Sequence, residues 1–362
     1  MKMKKIISIL LSFLCVCSLL PLFSACNHTK DENKKEYTTR SKTVSYTHFN
    51  TVSTLSSYGD ITASEFDSYV KTVDEMLGYY HKLFDIYYEY AGVNNIMTVN
   101  KNAGKSPVTV DEELIVFLEY CKELYSLTRG KTNIMFGSVL KIWHHARELA
   151  SDSGGYLDPT LLPTQDELAK AAQHTSIDLL VINKDEKTVY IADPEASIDV
   201  GAIAKGYAAS KIAEQLKSMG ADSMALNAGG NIVTIGLKPD GSRWVTGITN
   251  PDKTTVNSLI CKVAIGETSL VTSGDYERYF VSGNQSYHHI IDPETLMPAN
   301  YFASVSIFTP NGGLADALST ALFCMSYEEG RALVEDIGGV EVLWISQDGT
   351  IKMTNGVSLV ND

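Results

Sequence analysis

The stretch Ser197-Ile-Asp-Val-Gly-Ala-Ile-Ala-Lys-Gly-Tyr-Ala-Ala209 carries the strongest structural signal in this chain. A strand pattern at residues 188–191 precedes it. A helical pattern follows, closed by Gly220, with apolar residues on one stripe: Ile203, Tyr207, Ile212, Leu216 and Met219. The Gly201-Ala202 backbone is therefore expected near a helix N-terminus, where free N–H groups favour phosphate. Lys205 can direct a positive charge to the same place. Taken alone, this stretch is better explained as a capped helix with a solvated lysine, so its interpretation depends on the surrounding sequence.

Three segments further along the chain have the composition of ligand-binding loops. Asn227-Ala-Gly-Gly-Asn231 lies between two strand patterns, where glycine lets the backbone approach a ligand, although a plain hairpin turn is the alternative. Thr272-Ser-Gly-Asp-Tyr-Glu-Arg278 also has small residues before a bend. Tyr287-His-His-Ile-Ile-Asp-Pro293 ends a strand in an Asp-Pro turn and offers His289 and Asp292. Neighbouring histidines on a strand point to opposite faces, so at most one of the two faces a given pocket.

The segment Ala315-Asp-Ala-Leu-Ser-Thr-Ala-Leu-Phe323 predicts a helix that can bind a metal ion. Asp316 and Thr320 are four residues apart and share a helix face. A carboxylate and a hydroxyl are oxygen ligands suited to Mg²⁺, which keeps other positions for water and phosphate. The alternative is that Asp316 only caps the start of this helix.

The remaining periodicities predict a single large α+β domain at residues 44–362, with antiparallel sheets and flanking helices. Helices are expected at residues 64–85, 111–127 and 164–173, with Asp111 as a cap and a capping box at Thr164 and Glu167. Strands are expected at residues 179–182, 188–191, 223–226, 231–235, 244–248, 259–265 and 303–308. Residues 151–155 are expected to form a surface loop.

The N-terminus predicts export and a lipid anchor. Residues 1–25 combine a basic start with an apolar run too short for a comfortable bilayer span, as in a signal peptide. Phe23-Ser-Ala-Cys26 resembles a lipobox, so Cys26 is the expected lipidation site; an ordinary secretory signal is the alternative. Residues 26–43 are polar and predict a tether. The expected location is the extracytoplasmic face of the cell membrane.

The charge of the chain excludes one class of partner. The formal net charge is −13, and removing residues 1–25 leaves 27 basic and 43 acidic side chains, a net charge of −16. Such a surface argues against nucleic acid. An anionic substrate would need local positive groups. An odd number of cysteines remains in apolar contexts, which predicts small buried side chains and no disulfide framework: Cys121, Cys261 and Cys324.

Taken together and in this order, these segments resemble the ApbE family, the FAD:protein FMN transferases, from about Phe49 to the C-terminal region. The resemblance implies that FAD is the substrate and Mg²⁺ the cofactor. It assigns FAD contacts to Asp199, Lys205, Ile290 and Tyr87, and metal ligation to the backbone oxygen of Ala202 with the side chains of Asp316 and Thr320. His289 matches the histidine implicated in transfer.

Two positions depart from the family pattern. Gly130-Lys-Thr-Asn133 falls where relatives have a Gly-Ala-Phe-Asp type flavin-binding turn. Lys131, Thr132 and Asn133 are therefore expected to contact FAD, but in a way that differs from that of the relatives. Thr295-Leu-Met-Pro298 has leucine where many relatives have glycine after the threonine.

The implied reaction transfers FMN from FAD to a Ser or Thr hydroxyl of an acceptor protein, releasing AMP. His289 is the expected base, with Asp292 and Asp275 as alternatives. FAD hydrolysis to FMN and AMP is the second enzymatic hypothesis. A flavin-binding lipoprotein without turnover is a third hypothesis. The predicted metal ligands Asp316 and Thr320 argue against it, because binding FAD does not by itself require a metal ion.

Overall fold

A computed structural model describes residues 38–360 of the protein, and these form one compact unit. The predicted signal peptide and Cys26 lie outside the described residues. The predicted tether differs in extent, because residues 39–45 form an edge strand paired with residues 53–58. This strand pairs with its neighbour from residue 39 on, so the folded part begins before residue 44. No helix among the described residues has both the length and the apolar character needed to cross a bilayer.

An eight-stranded antiparallel sheet organises the described part of the chain. The strands in chain order are β1 (Thr39–Ser45), β2 (Ser53–Tyr58), β3 (Val108–Thr109), β4 (Leu180–Asn183), β5 (Thr188–Ile191), β6 (Met224–Ala228), β7 (Asn231–Ile235), β8 (Trp244–Thr249), β9 (Leu259–Ile265), β10 (Ser269–Gly274), β11 (Tyr279–Ser282), β12 (Gln285–His288), β13 (Ser304–Thr309), β14 (Glu341–Ile345), β15 (Ile351–Met353) and β16 (Leu359–Val360). The large sheet has the order β1-β2-β6-β7-β10-β13-β14-β15. Smaller sheets are β11-β12, β16-β9-β8 and β3-β5-β4.

The helices pack around these sheets. They are α1 (Ala63–Phe84), α2 (Ile96–Lys101), α3 (Glu112–Leu127), α4 (Gly137–Asp152), α5 (Gln165–Ala172), α6 (Ala204–Ser218), α7 (Gly312–Phe323) and α8 (Tyr327–Ile337). Helix α7 packs against β10, β13 and α6, and α6 also packs against α1 and β7. Leu318, Leu322 and Phe323 of α7 are fully buried. Each such side chain contributes about 1.5–3 kcal/mol, so α7 is firmly held in the core.

The predicted α+β class and antiparallel strands are confirmed. The predicted caps are also present: Asp111 accepts a hydrogen bond from Glu113 N, and Thr164 forms the capping box with Glu167. Residues 151–152 were expected in a loop but are the last residues of α4, which the sequence analysis did not find. Met219 lies at the end of its helix and is 37% exposed, so the buried stripe ends at Leu216. Cys121 and Cys324 are buried, Cys261 is half-buried, and all three are free.

Candidate active site

The start of α6 touches α7 backbone to backbone. A Cβ atom on Gly206 would lie only 2.0 Å from the carbonyl oxygen of Gly312, which explains the glycine at this position. At the same contact, Asp316 Oδ2 accepts a hydrogen bond from Gly206 N at 2.7 Å. Asp316 is 4% exposed. A carboxylate from α7 is therefore fixed against the first turn of α6.

This hydrogen bond changes the pattern of backbone hydrogen bonds at the start of α6. In a regular helix Gly206 N would donate to the carbonyl oxygen of Ala202, four residues earlier. Because it donates to Asp316 instead, the Ala202 oxygen accepts no backbone hydrogen bond. The Thr320 hydroxyl, one turn beyond Asp316, also has no hydrogen-bond partner in the described part of the chain. The structure therefore brings a buried carboxylate and two unused oxygens to the same helix junction.

The capping interpretation of Asp316 is wrong, since Asn311 caps α7 by accepting a hydrogen bond from Leu314 N. Lys205 lies beside the carboxylate, with its Nζ 3.9 Å from Asp316 Oδ1. Residues 38–360 contain no group of three His, Cys, Asp or Glu side chains able to hold a metal ion. A metal at this junction would therefore be bound by backbone and hydroxyl oxygens together with Asp316.

Asp199 lies in the turn before α6 and is linked to Tyr87 through a histidine. Its Oδ1 accepts from Gly201 N at 2.9 Å, and its Oδ2 lies 3.9 Å from His144 Nε2. The other ring nitrogen of His144 lies 3.4 Å from Tyr87 Oη. Asp85 holds the Tyr87 loop by accepting from Tyr87 N at 2.7 Å. The structure thus brings together two residues that the sequence could only assign separately.

A group of basic side chains surrounds Asp199. Lys141, His144 and Arg147 come from successive turns of α4. Burial lowers the pKa of each, and for all three the charge of Asp199 acts in the opposite direction. Arg278 also acts on His144 and Arg147. Positive groups therefore converge here on an otherwise acidic chain, as an anionic substrate requires.

Sequence reasoning missed these basic residues because it did not find α4. The available signal was the 141, 144, 147 spacing on a helix whose other face buries Trp143, Ala146 and Ala150. Arg278 lies within a segment that was singled out, but only for its small residues.

The two neighbouring histidines have different environments. His288 is buried, its Nε2 lies 2.7 Å from the carbonyl oxygen of Ala299, and its Nδ1 accepts from Ile290 N. Both of its ring nitrogens are thus occupied by the backbone. His289 Nδ1 is shielded from solvent and has no hydrogen-bond partner. Burial, together with the charges of Arg278, His288, Arg147 and Lys205, holds the pKa of His289 well below its usual range. His289 is therefore held in its neutral form, in which an imidazole can accept a proton.

The alternative bases are already engaged. Asp292 is buried and forms an ion pair with Lys131 at 3.1 Å. Asp275 Oδ2 accepts a hydrogen bond from Gln347 Nε2 at 2.9 Å. The charged groups that act on His289 are basic, and neither carboxylate is among them.

The predicted flavin turn directs its side chains into the protein. Lys131 contacts Asp292 and Glu294, and Thr132 Oγ1 donates to the carbonyl oxygen of Ala317 at 2.7 Å. Asn133 Nδ2 donates to the carbonyl oxygen of Thr175. Ile290, also predicted at the flavin nucleotide, is 4% exposed and packs in the core around α7. Any contact of these residues with FAD would therefore involve the backbone or a change of side-chain position.

The fold and site define an α+β protein with a buried carboxylate at the junction of two helices and basic side chains around Asp199. The chain belongs to the ApbE family, whose model matches residues 47–344. The FAD:protein FMN transferase of Treponema pallidum (strain Nichols) is 34% identical over 274 residues, which are 72% of this chain and 73% of that protein. The FAD:protein FMN transferase of Vibrio cholerae serotype O1 is 28% identical over 275 residues, covering 75% of each chain.

Solved structures show the same architecture. The ApbE protein from Thermotoga maritima superposes with a TM-score of 0.73 at 25% identity, covering 88% of this chain and 97% of its own. The flavin transferase ApbE from Vibrio cholerae has a TM-score of 0.71 at 25% identity, covering 89% and 97%. The predicted family and fold are thus confirmed.

Proposed function

We propose that this protein, a flavin transferase of the ApbE family, moves FMN from FAD to a Ser or Thr hydroxyl of an acceptor protein and requires Mg²⁺. The observation that carries the magnesium requirement is the hydrogen bond from Gly206 N to Asp316, which leaves the Ala202 oxygen unused. With the Thr320 hydroxyl, these groups are oxygen donors of the kind that Mg²⁺ prefers. The residues present therefore fit the ion.

Each residue has a distinct task in the proposed reaction. Ala202, Asp316 and Thr320 hold Mg²⁺, which when bound neutralises charge on the diphosphate of FAD. Lys205 adds a fixed positive charge beside Asp316. Lys141, Arg147 and Arg278 attract the anionic substrate against the negative field of the chain.

His289 acts as the base. Its neutral ring accepts the proton of the acceptor hydroxyl. The hydroxyl oxygen then bonds to the FMN-side phosphorus, the bond from that phosphorus to the bridging oxygen breaks, and AMP leaves. The product is a phosphodiester between FMN and the acceptor.

One experiment tests the activity and its alternatives. The soluble part of the chain is incubated with FAD and Mg²⁺, with and without a candidate acceptor, and AMP and flavin-labelled acceptor are measured. AMP that forms only together with labelled acceptor supports transfer. AMP without acceptor indicates hydrolysis, and FAD binding without AMP indicates a flavin-binding protein. Full activity in the presence of a chelator would contradict the magnesium requirement.

We also propose that Cys26 is lipidated and anchors the protein to the extracytoplasmic face of the membrane. The support is the lipobox-like Phe23-Ser-Ala-Cys26 after an apolar run. Cys26→Ala should release an active enzyme from the membrane fraction, because the lipid would be its durable anchor. A Cys26→Ala protein that stays in the membrane fraction after a salt wash would contradict the anchor.

A further inference from the structure

The turn formed by Gly130, Lys131, Thr132 and Asn133, here called the 130–133 turn, joins α3 to α4 and contacts two distant parts of the site. Lys131 Nζ lies 3.1 Å from Asp292 Oδ1 and 2.9 Å from Glu294 Oε1. The Lys131 side chain is 11% exposed and that of Asp292 only 3%. Burial lowers the pKa of Lys131, but its hydrogen bonds to Glu294 and Asp292 outweigh this effect and raise the pKa. The lysine therefore stays charged and binds the loop that follows His289.

The next residue of the turn binds α7. Thr132 is 2% exposed, and its hydroxyl donates to the carbonyl oxygen of Ala317 at 2.7 Å. Ala317 directly follows Asp316. The backbone N of Thr132 donates in turn to the Thr128 hydroxyl at 3.2 Å, at the end of α3. Through these two hydrogen bonds, Thr132 connects the end of α3 to the residue next to the predicted metal ligand.

The loop held by Lys131 needs external contacts to keep its shape. Leu296 has a φ of +61°, a left-handed conformation that costs roughly 1–2 kcal/mol in a residue with a Cβ atom. Its carbonyl oxygen accepts a hydrogen bond from Trp143 Nε1 at 3.0 Å, and its N donates to the Asp292 carbonyl oxygen. Asp292 thus takes part both in the ion pair with Lys131 and in a hydrogen bond of the strained loop. Asp292 lies three residues after His289 in the sequence.

We propose that the 130–133 turn is a positioning element that fixes the segment carrying His289 relative to the helix carrying Asp316. Lys131 and Thr132 are its two positioning residues. Their side chains act on FAD through the groups they hold. This inference rests on the proposed function, because it assigns the held groups to the base and to the metal site.

The Thr132 contact is tested with a pair of variants. Thr132→Val keeps the shape of the side chain and removes the hydroxyl, whereas Thr132→Ser keeps the hydroxyl. We expect Thr132→Val to raise the Mg²⁺ concentration for half-maximal AMP release about tenfold, as residues behind metal ligands typically do. The rise in unfolding temperature on adding Mg²⁺ should shrink in parallel, which is a readout independent of turnover. Thr132→Ser should restore both.

The Lys131 contact is tested in the same way. Lys131→Met removes the charge, and Lys131→Arg keeps it. We expect Lys131→Met to lower kcat for labelling about tenfold or more, because small misplacements of catalytic groups are costly. KM for FAD and the Mg²⁺ response should change little. The matched control is Asp336→Asn, which breaks the exposed ion pair between Asp336 and Arg129 beside the same turn. This control should behave as the native protein.

All variants are assayed below their own unfolding temperatures. Thr132→Val and Lys131→Met proteins that lose stability but keep the native Mg²⁺ response and kcat would overturn the inference. If Lys131→Met does not fold, the Thr132 pair decides, and an unchanged Mg²⁺ response in Thr132→Val overturns the inference. A native protein that neither labels an acceptor nor responds to Mg²⁺ would instead contradict the proposed function.

Discussion

Replacing Gly206 with alanine tests whether the contact between α6 and α7 sets the geometry of the site. The new Cβ would lie 2.0 Å from Gly312 O and 2.9 Å from Asp316 Cβ. Non-bonded carbon atoms are comfortable at about 3.5–4.0 Å, so the helices would have to separate by roughly 1 Å. Alanine favours a helix over glycine by about 0.8–1.0 kcal/mol, but overpacking costs about 1–3 kcal/mol. We expect the free energy of unfolding to fall by up to about 2 kcal/mol.

The separation should affect metal binding more than stability. It would stretch the 2.7 Å hydrogen bond from Gly206 N to Asp316 and move the carboxylate away from the Ala202 oxygen. The Mg²⁺ concentration for half-maximal AMP release should therefore rise about tenfold or more. FAD affinity measured without Mg²⁺ should change less, because Asp199 and the basic residues of α4 are not displaced.

Denaturant unfolding and a Mg²⁺ titration of AMP release measure the two effects. Gly330→Ala is the matched control, since Gly330 also lies inside a helix but its Cβ would meet side chains alone, the end of Leu322 at 3.3 Å and the Trp344 ring at 3.9 Å. This control should keep the native Mg²⁺ response, and its stability should change less than that of Gly206→Ala. A Gly206→Ala protein with native stability and native Mg²⁺ response would refute the close-contact argument.

The remaining predictions concern the base, the metal ligand and the basic cluster. His289→Ala should slow single-turnover labelling by about 10²–10⁴-fold with little loss of FAD binding, whereas His288→Ala should leave the chemical step largely unchanged; if neither variant loses rate, a carboxylate is the base. The pKa of His289 is held below its usual value of 6.5, so kcat/KM of the native protein should fall only as the pH drops below 6.5. The corresponding fall in kcat should occur at higher pH, because the negative charge of bound FAD raises the pKa of a nearby histidine. A fall of kcat/KM that begins above pH 6.5 would argue against His289 as the base. Asp316→Ala should abolish Mg²⁺-dependent turnover while FAD still binds, and unchanged activity at limiting Mg²⁺ would exclude this ligand. Arg147→Gln should weaken FAD binding about tenfold, in line with about 1.5–3 kcal/mol for a hydrogen bond to a charged group, and fluorescence titration giving native affinity would remove Arg147 from the binding site.

The expected pH dependence illustrates what a residue type alone cannot provide. The presence of histidine in a loop motif predicts a titration near neutrality. In the folded chain, burial and the positive charges around His289 lower its pKa. Those charges come from α4, α6 and the segment before β11, so their joint effect exists only after folding.

The sequence by itself determined the features that depend on neighbours a few residues apart. Apolar spacing predicted α1, α3 and α6, the capping box predicted α5, and β5, β7 and β9 coincide with the expected strands. The capping box at Thr164 and the cap at Asp111 were predicted for the same reason, because a cap bonds to residues two or three positions away. Motif order also sufficed to predict the family. Patterns of this kind can be recognised in a sequence because they repeat with the period of the helix or strand in which they occur.

Only the tertiary structure decided which groups meet and which remain unpaired. The bond from Gly206 to Asp316 spans 110 residues, and it alone shows that the Ala202 oxygen is unused. The Lys131 ion pair with Asp292 spans 161 residues, so a departure from the family pattern proves to be an internal contact. Burial and long-range pairing depend on how the helices pack on the sheet, and local periodicity does not encode that packing for any single residue.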